Sequence, residues 1–274
     1  MISLYNIVVW RSLFLKNRKK IKLLLAFGAL ILATTSCRRA ASAPPVSAPQ
    51  PATADVVRQA DDLYSGREDL LKVRQAIIAL QQAQASAPTN YELAWRLSKF
   101  NYYLGSHSPD AVEKDGAFHD GIEAGKLAVE LNGNKPEGHF WLGANYGGNA
   151  QISTLAGLAD IDDIKQEMET VLNIDERYQA GSAYMVLGEV FLESPRILGG
   201  DTQKAIENFE KGVRLGPDNA LLRWHLAEAY VQAHRNEDAR KQINALLAMK
   251  PAPGYLPEYN EAVGQLKKLQ EKIK

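Results

Sequence analysis

The chain has 274 residues, 46% of them apolar, with 32 basic and 32 acidic side chains and a single cysteine. A folded core is therefore within reach. A disulfide framework, a zinc ribbon and a nucleic-acid partner are excluded, because one cysteine builds neither of the first two and the body of the chain carries no block of Lys and Arg.

The first segment, Met1 to Cys37, holds six basic residues (Arg11, Lys16, Arg18, Lys19, Lys20, Lys22) and no acid, ahead of the uncharged run Leu23 to Ser36. That run has 14 residues, inside the range of a signal h-region and short of the roughly 20 that cross about 30 Å of hydrocarbon as a helix. Residues 1–37 thus read as an export signal rather than a transmembrane anchor, and one that would work equally well begun near Phe14. The run ends in Ala33-Thr34-Thr35-Ser36-Cys37, which resembles a bacterial lipobox, with Thr34 where Leu is usual. The resemblance implies lipidation of Cys37 and, with Arg38 rather than Asp after it, a periplasmic protein held in the outer membrane by its lipid. Residues 38–54, rich in Ala, Pro and Ser, bury too little apolar surface to fold and read as a tether. Loss of the signal leaves 26 basic against 32 acidic side chains, a charge near −6.

From Val56 onward the apolar spacing is helical, with no convincing alternating strand. Ala205, Phe209, Gly212 and Pro217 recur 34 residues later as Ala239, Ile243, Leu246 and Pro251, the tetratricopeptide period. Leu187-Gly188 with Phe191, and Leu226-Ala227 with Tyr230, fit the first helix of that repeat: a small residue admits the partner helix and an aromatic three positions on fills the gap. Weaker copies lie upstream, with unit ends expected at Pro88, Gly133, Glu176, Pro217 and Pro251. The extra residues of the longer units are expected as loops at Gly105–Phe118, Gly147–Ala159 and Glu193–Thr202, and loops on a regular scaffold are where binding is added. The expected architecture is an all-α tetratricopeptide-like helical-repeat solenoid over 55–253. A capping helix over 254–274 follows, its apolar stripe on the last repeat and its other face in water.

The segment Ser194-Pro195-Arg196-Ile197-Leu198-Gly199-Gly200-Asp201, followed by Lys204-Ala205 and Phe209-Glu210, resembles the TatT family, tetratricopeptide lipoproteins of TRAP-type solute transport. The layout also resembles bacterial relatives of the regulator-of-microtubule-dynamics proteins. The first resemblance implies a periplasmic lipoprotein that forms a homotrimer and engages a periplasmic solute-binding subunit. It implies binding without catalysis and without a cofactor.

Pro195, Gly199, Gly200 and Asp201 form the family-motif loop. Its glycines permit positive φ and Asp201 can cap the next helix; a backbone nest for an anion is the alternative. Gly147-Gly148-Asn149 invites the same two readings. None of the five histidines stands in a metal or catalytic pattern, Gly121–Leu127 departs from a phosphate loop, and Asp160-Ile161-Asp162-Asp163 reads as acidic capping of a helix rather than a calcium loop. In the repeat family the fifth position of each first helix tends to face the concave groove, which here selects Trp95, Phe140, Met185 and Trp224. Lys99, Tyr102, Glu189 and Glu228 stand at neighbouring positions. A polar-rimmed aromatic stripe suits a peptide or a hydrophobic solute, and core packing is the competing account.

Overall fold

A computed structural model describes residues 53–152 and 154–272. The expected signal peptide, the lipidation site Cys37 and all but the last two residues of the expected tether lie outside the described residues. Among the described residues the helices are α1 (Thr53–Ser65), α2 (Leu70–Ser86), α3 (Tyr91–His107), α4 (Ala111–Leu131), α5 (Pro136–Ile152), α6 (Thr154–Asp175), α7 (Ser182–Glu193), α8 (Thr202–Leu215), α9 (Ala220–Gln232), α10 (Asn236–Leu247) and α11 (Leu256–Lys272). Three short 3-10 turns join them, and no strand occurs among the described residues.

Side-chain caps set several of the starts. Asp69, Asn90, Asp110, Asp201 and Asn219 each stand one residue before a helix and accept from an N–H of its first turn, satisfying donors that have no intrahelical partner. The expected unit ends fall one to four residues beyond α2, α4, α6, α8 and α10. Consecutive helices pack as pairs, and the first helices of successive pairs, α3, α5, α7 and α9, also touch one another. This is the all-α helical-repeat arrangement that the 34-residue period implies.

Two of the three expected loops are helical instead. Gly105 ends inside α3, and Asp110 starts α4 immediately afterwards by accepting from the N–H groups of Val112 (2.8 Å) and Glu113 (2.9 Å). Likewise α5 runs through Gly147 and Gly148, and α6 begins at Thr154, so Asp162 and Asp163 lie inside that helix and do not cap it. The glycines that read as breakers make room: a Cβ on Gly105 would stand 2.8 Å from the Phe118 ring, and one on Gly148 only 2.1 Å from it. Phe118, 3% exposed, is wedged between the two helices at their glycines. Only Glu193–Thr202 is a true loop.

The same device sets the pair spacing. A Cβ on Gly143 would meet Met168 at 2.4 Å and one on Gly188 would meet Phe209 at 2.4 Å, which is why the small residue of each Leu-Gly pair sits there. Phe209 and Met168 are fully buried, and truncating a buried Phe to Ala typically costs about 3–5 kcal/mol.

The last helix does more than cap. Its apolar residues Ala262, Leu266 and Leu269 join the core of α8–α10, while its polar face, expected in water, reaches the start of the solenoid. Arg67, in the α1–α2 turn, donates to the Gly254 carbonyl (2.8 Å) and to the Glu258 carboxylate (2.6 Å), 191 positions later. His107 at the end of α3 lies 3.9 Å from Glu261. The two ends of the repeat array therefore meet, and the faces of α3, α5, α7 and α9 become the inner wall of a closed turn.

Candidate functional site on the inner face

On α3, Trp95, Lys99 and Tyr102 follow at i, i+4 and i+7, one stripe of the helix. Lys99 Nζ stands 4.6 Å from the centroid of the Tyr64 ring and 5.6 Å from that of Trp141. It has no ion pair of its own among the described residues. Burial, aided by Arg67 and Arg96, holds its ammonium down to about 8, against the pull of Asp61 and Glu258. Tyr102 packs on Trp141 at 5.7 Å and on Phe118 at 6.3 Å; burial and the nearby Glu189 and Glu261 push its phenol up.

Opposite stand the carboxylates of α7, α9 and α11. Glu189 Oε1 is 3.1 Å from His225 Nε2. Burial, reinforced by Glu193, Glu228 and Glu261, pushes the Glu189 carboxyl up to about 8, and burial drives the His225 imidazole down to about 3. Both shifts favour the uncharged forms of the two groups. The His225 ring is also fixed between Phe209 (5.8 Å) and Trp224 (4.1 Å). The inner face thus offers one softened cation, two hydrogen-bonding groups held neutral, and aromatic walls, a chemistry that holds organic groups of modest charge.

The structure brings Lys99, Tyr102, Glu189 and Glu228 toward this face and sets the other expected residues deeper. Trp95 packs against the core of α5–α7, its Nε1 donating to Glu92 Oε2 at 3.0 Å and Arg96 lying 4.2 Å from its ring. Phe140 is 5% exposed and meets Trp141 and Tyr178 edge-on at 4.9 and 5.4 Å. Met185 and Trp224 lean half-buried on the core of α8–α11. On α5 it is Trp141, one residue past Phe140, that meets Lys99 and Tyr102. Tyr64, Arg67, His225 and Glu261 are additions that no spacing rule picks out, since they come from a turn, two different repeats and the cap.

The motif loop is internally complete. Asp201 accepts from the N–H groups of Gln203 (2.9 Å) and Lys204 (3.1 Å). The N–H groups of Leu198 and Gly200 go to the Pro195 carbonyl, that of Gly199 to Arg196, and that of Asp201 to Phe191 at 2.8 Å. Gly199 has φ +90°, and a Cβ on Gly200 would stand 1.8 Å from the Ser194 carbonyl oxygen, so both positions require glycine. The N–H groups of the four residues from Leu198 to Asp201 are thus taken by carbonyls of the loop and of α7, and Asp201 caps α8, as the local reading expects.

Elsewhere, His139 is held by Glu167 (2.5 Å) and the Gly133 carbonyl (2.9 Å). No cluster of His, Cys, Asp and Glu among the described residues could hold a metal ion. No helix among them is long and apolar enough to cross a membrane.

Helix pairs of this register, with first helices lining an inner face, define a tetratricopeptide-type repeat protein. Residues 126–255 match the family described as TRAP transporter T-component, and residues 56–189 match Regulator of microtubule dynamics protein 1-3; both resemblances read from the sequence are borne out. Among solved structures the chain is similar to a thermophilic TPR protein of Thermus thermophilus, with 20% identity, 77% of this chain and 99% of that one covered, and a TM-score of 0.58. A weaker likeness is to MamA, with 19% identity, 74% and 95% coverage and a TM-score of 0.44. No curated protein matches the sequence. The likeness to the Thermus protein establishes the fold, and the T-component family and this repeat fold are non-catalytic and fit a protein-binding role.

Proposed function

We propose that this protein is an accessory binding component of a TRAP-type solute transport system, exported by residues 1–37 and anchored through lipid on Cys37 in the periplasmic leaflet of the outer membrane. It acts by binding and not by catalysis, and its partner is the periplasmic solute-binding subunit. The observation that carries the reading is the T-component match over 126–255, which spans α5 to α10 and so supplies α5, α7 and α9 of the inner face. Lys99, Tyr102, Trp141, Glu189, His225 and Glu228 receive either a segment of that subunit or an apolar solute passed from it.

The test is calorimetric titration of the protein with the TRAP solute-binding subunit of the same organism. Binding that Lys99→Ala and Glu228→Gln weaken supports the proposal. No heat with that subunit, in the presence or absence of its solute, refutes the transport role and leaves the alternative of a general interaction scaffold of the envelope, which the match over 56–189 favours. A fatty-acid analogue that labels wild type and not Cys37→Ser supports the anchor; equal labelling of both refutes it.

A further inference from the structure

A second surface lies away from that face, at the junction of α6, α8 and the motif loop. A cleft of about 370 Å³ opens between Phe191, Arg196, Thr202 and Gln203. The Phe191 ring at its edge has two ammonium groups over it, Lys165 Nζ at 5.4 Å and Lys204 Nζ at 5.7 Å. Lys165 reaches in from α6, its Nζ 4.0 Å from where a Cβ on Gly199 would stand, and Arg196 of the loop lines the cleft. None of these three cations has an ion pair among the described residues. The one carboxylate lining the cleft, Asp201, is engaged in capping α8. Three cations against the single carboxylate of Asp201, in a chain whose remainder is acidic, leave a net positive local field.

The apolar part is as pointed. Ile197, at the tip of the loop, is 92% exposed and Leu198 40% exposed. The loop holding them is already ordered by its own N–H bonds and by two positions that only glycine fits, so little conformational freedom remains to be lost on association. A small free anion would use the cations and leave Ile197 idle.

We propose that this cleft docks an acidic segment of a partner protein, with carboxylates received by Lys165, Arg196 and Lys204 and an apolar side chain seated against Ile197. The site shares no residue with the inner face, since it uses α6, the last turn of α7, α8 and the loop between α7 and α8. Charge-assisted contacts supply most of its salt-sensitive attraction, and Ile197 selects a peptide over a bare anion.

The probe is a fluorescein-labelled hexapeptide of alternating Glu and Leu, titrated by anisotropy against the full-length protein at low ionic strength, beside the same peptide with Gln for Glu. We expect the acidic peptide to bind and the Gln peptide to bind at least about tenfold more weakly, as loss of charge-assisted contacts implies. The combined variant Lys165→Glu, Arg196→Glu, Lys204→Glu should lose binding by a similar factor, and Ile197→Ser should weaken it about threefold or more. Lys241→Glu, on the distant α10, should leave it unchanged. Arg196, Ile197 and Lys204 are exposed and Lys165 half-buried, so melting temperatures should stay near wild type. No binding of the acidic peptide, or equal binding by the triple variant, overturns the proposal. So does displacement of the peptide by succinate or inorganic phosphate at the peptide's own affinity with no effect of Ile197→Ser, which would make this a small-anion site.

Discussion

Closure of the repeat array through Arg67 is tested most sharply by Glu258→Gln. The Arg67 side chain is 6% exposed and that of Glu258 32%. The guanidinium donates to both carboxylate oxygens at 2.6 Å and to the Gly254 carbonyl, and lies 5.3 and 5.8 Å from the centroids of Tyr64 and Tyr103. Two unit charges about 4 Å apart attract by about 4 kcal/mol at an effective dielectric near 20. Water at the exposed third of the carboxylate reduces this. Gln keeps the shape and one acceptor but leaves the arginine charge buried without compensation, so the expected loss is about 2–3 kcal/mol. Removing the other partner is milder: in Arg67→Met the freed carboxylate can hydrate, and the loss should be about 1–2 kcal/mol. Urea unfolding followed by circular dichroism gives both numbers, and hydrogen exchange should show α11 and the α1–α2 turn losing protection together. A cost below about 0.5 kcal/mol for Glu258→Gln, the range of an exposed pair such as Arg58–Asp55, would refute the closure argument. Arg67→Met proving the costlier change would do so too.

Gly188→Ala places a Cβ 2.4 Å from Phe209 and should destabilise by about 1–3 kcal/mol despite better helix propensity. Gly147→Ala, which meets nothing within 4 Å on α5, should instead stabilise by about 0.5–1 kcal/mol; equal signs in a thermal melt would contradict the packing account. His139 is raised above its usual value by the Glu167 carboxylate, with the Gly133 carbonyl adding to this against burial. Its contribution is therefore complete below about 6.5 and is lost as pH rises through the folded value, so the stability gap between wild type and His139→Gln should narrow from pH 6 toward alkaline pH. Trp95→Ala and Trp224→Ala remove half-buried rings and should each cost about 2–3 kcal/mol, less than a fully buried aromatic; unchanged melting temperatures would put both rings free on the surface.

Repeat register, helix-pair boundaries and caps are local properties, and they were legible in the order of the residues. The 34-residue recurrence of Ala205, Phe209 and Gly212, the Leu-Gly pairs, and Asp201 ahead of α8 all act within a few turns of chain, where period and capping chemistry determine the outcome. The glycines show where such reading stops. Gly105, Gly147 and Gly148 read as loop formers because a sequence displays their missing side chain and not the Phe118 ring that fills the space of two of them. The candidate site divides in the same way. Lys99 and Tyr102 share a helical stripe and could be named together, whereas Trp141 in place of Phe140 depends on the rotation of α5 against its neighbours. The approach of Arg67 to Glu258 across 191 positions depends on the summed twist of every intervening pair, and that sum is a property of packing, which no local pattern encodes.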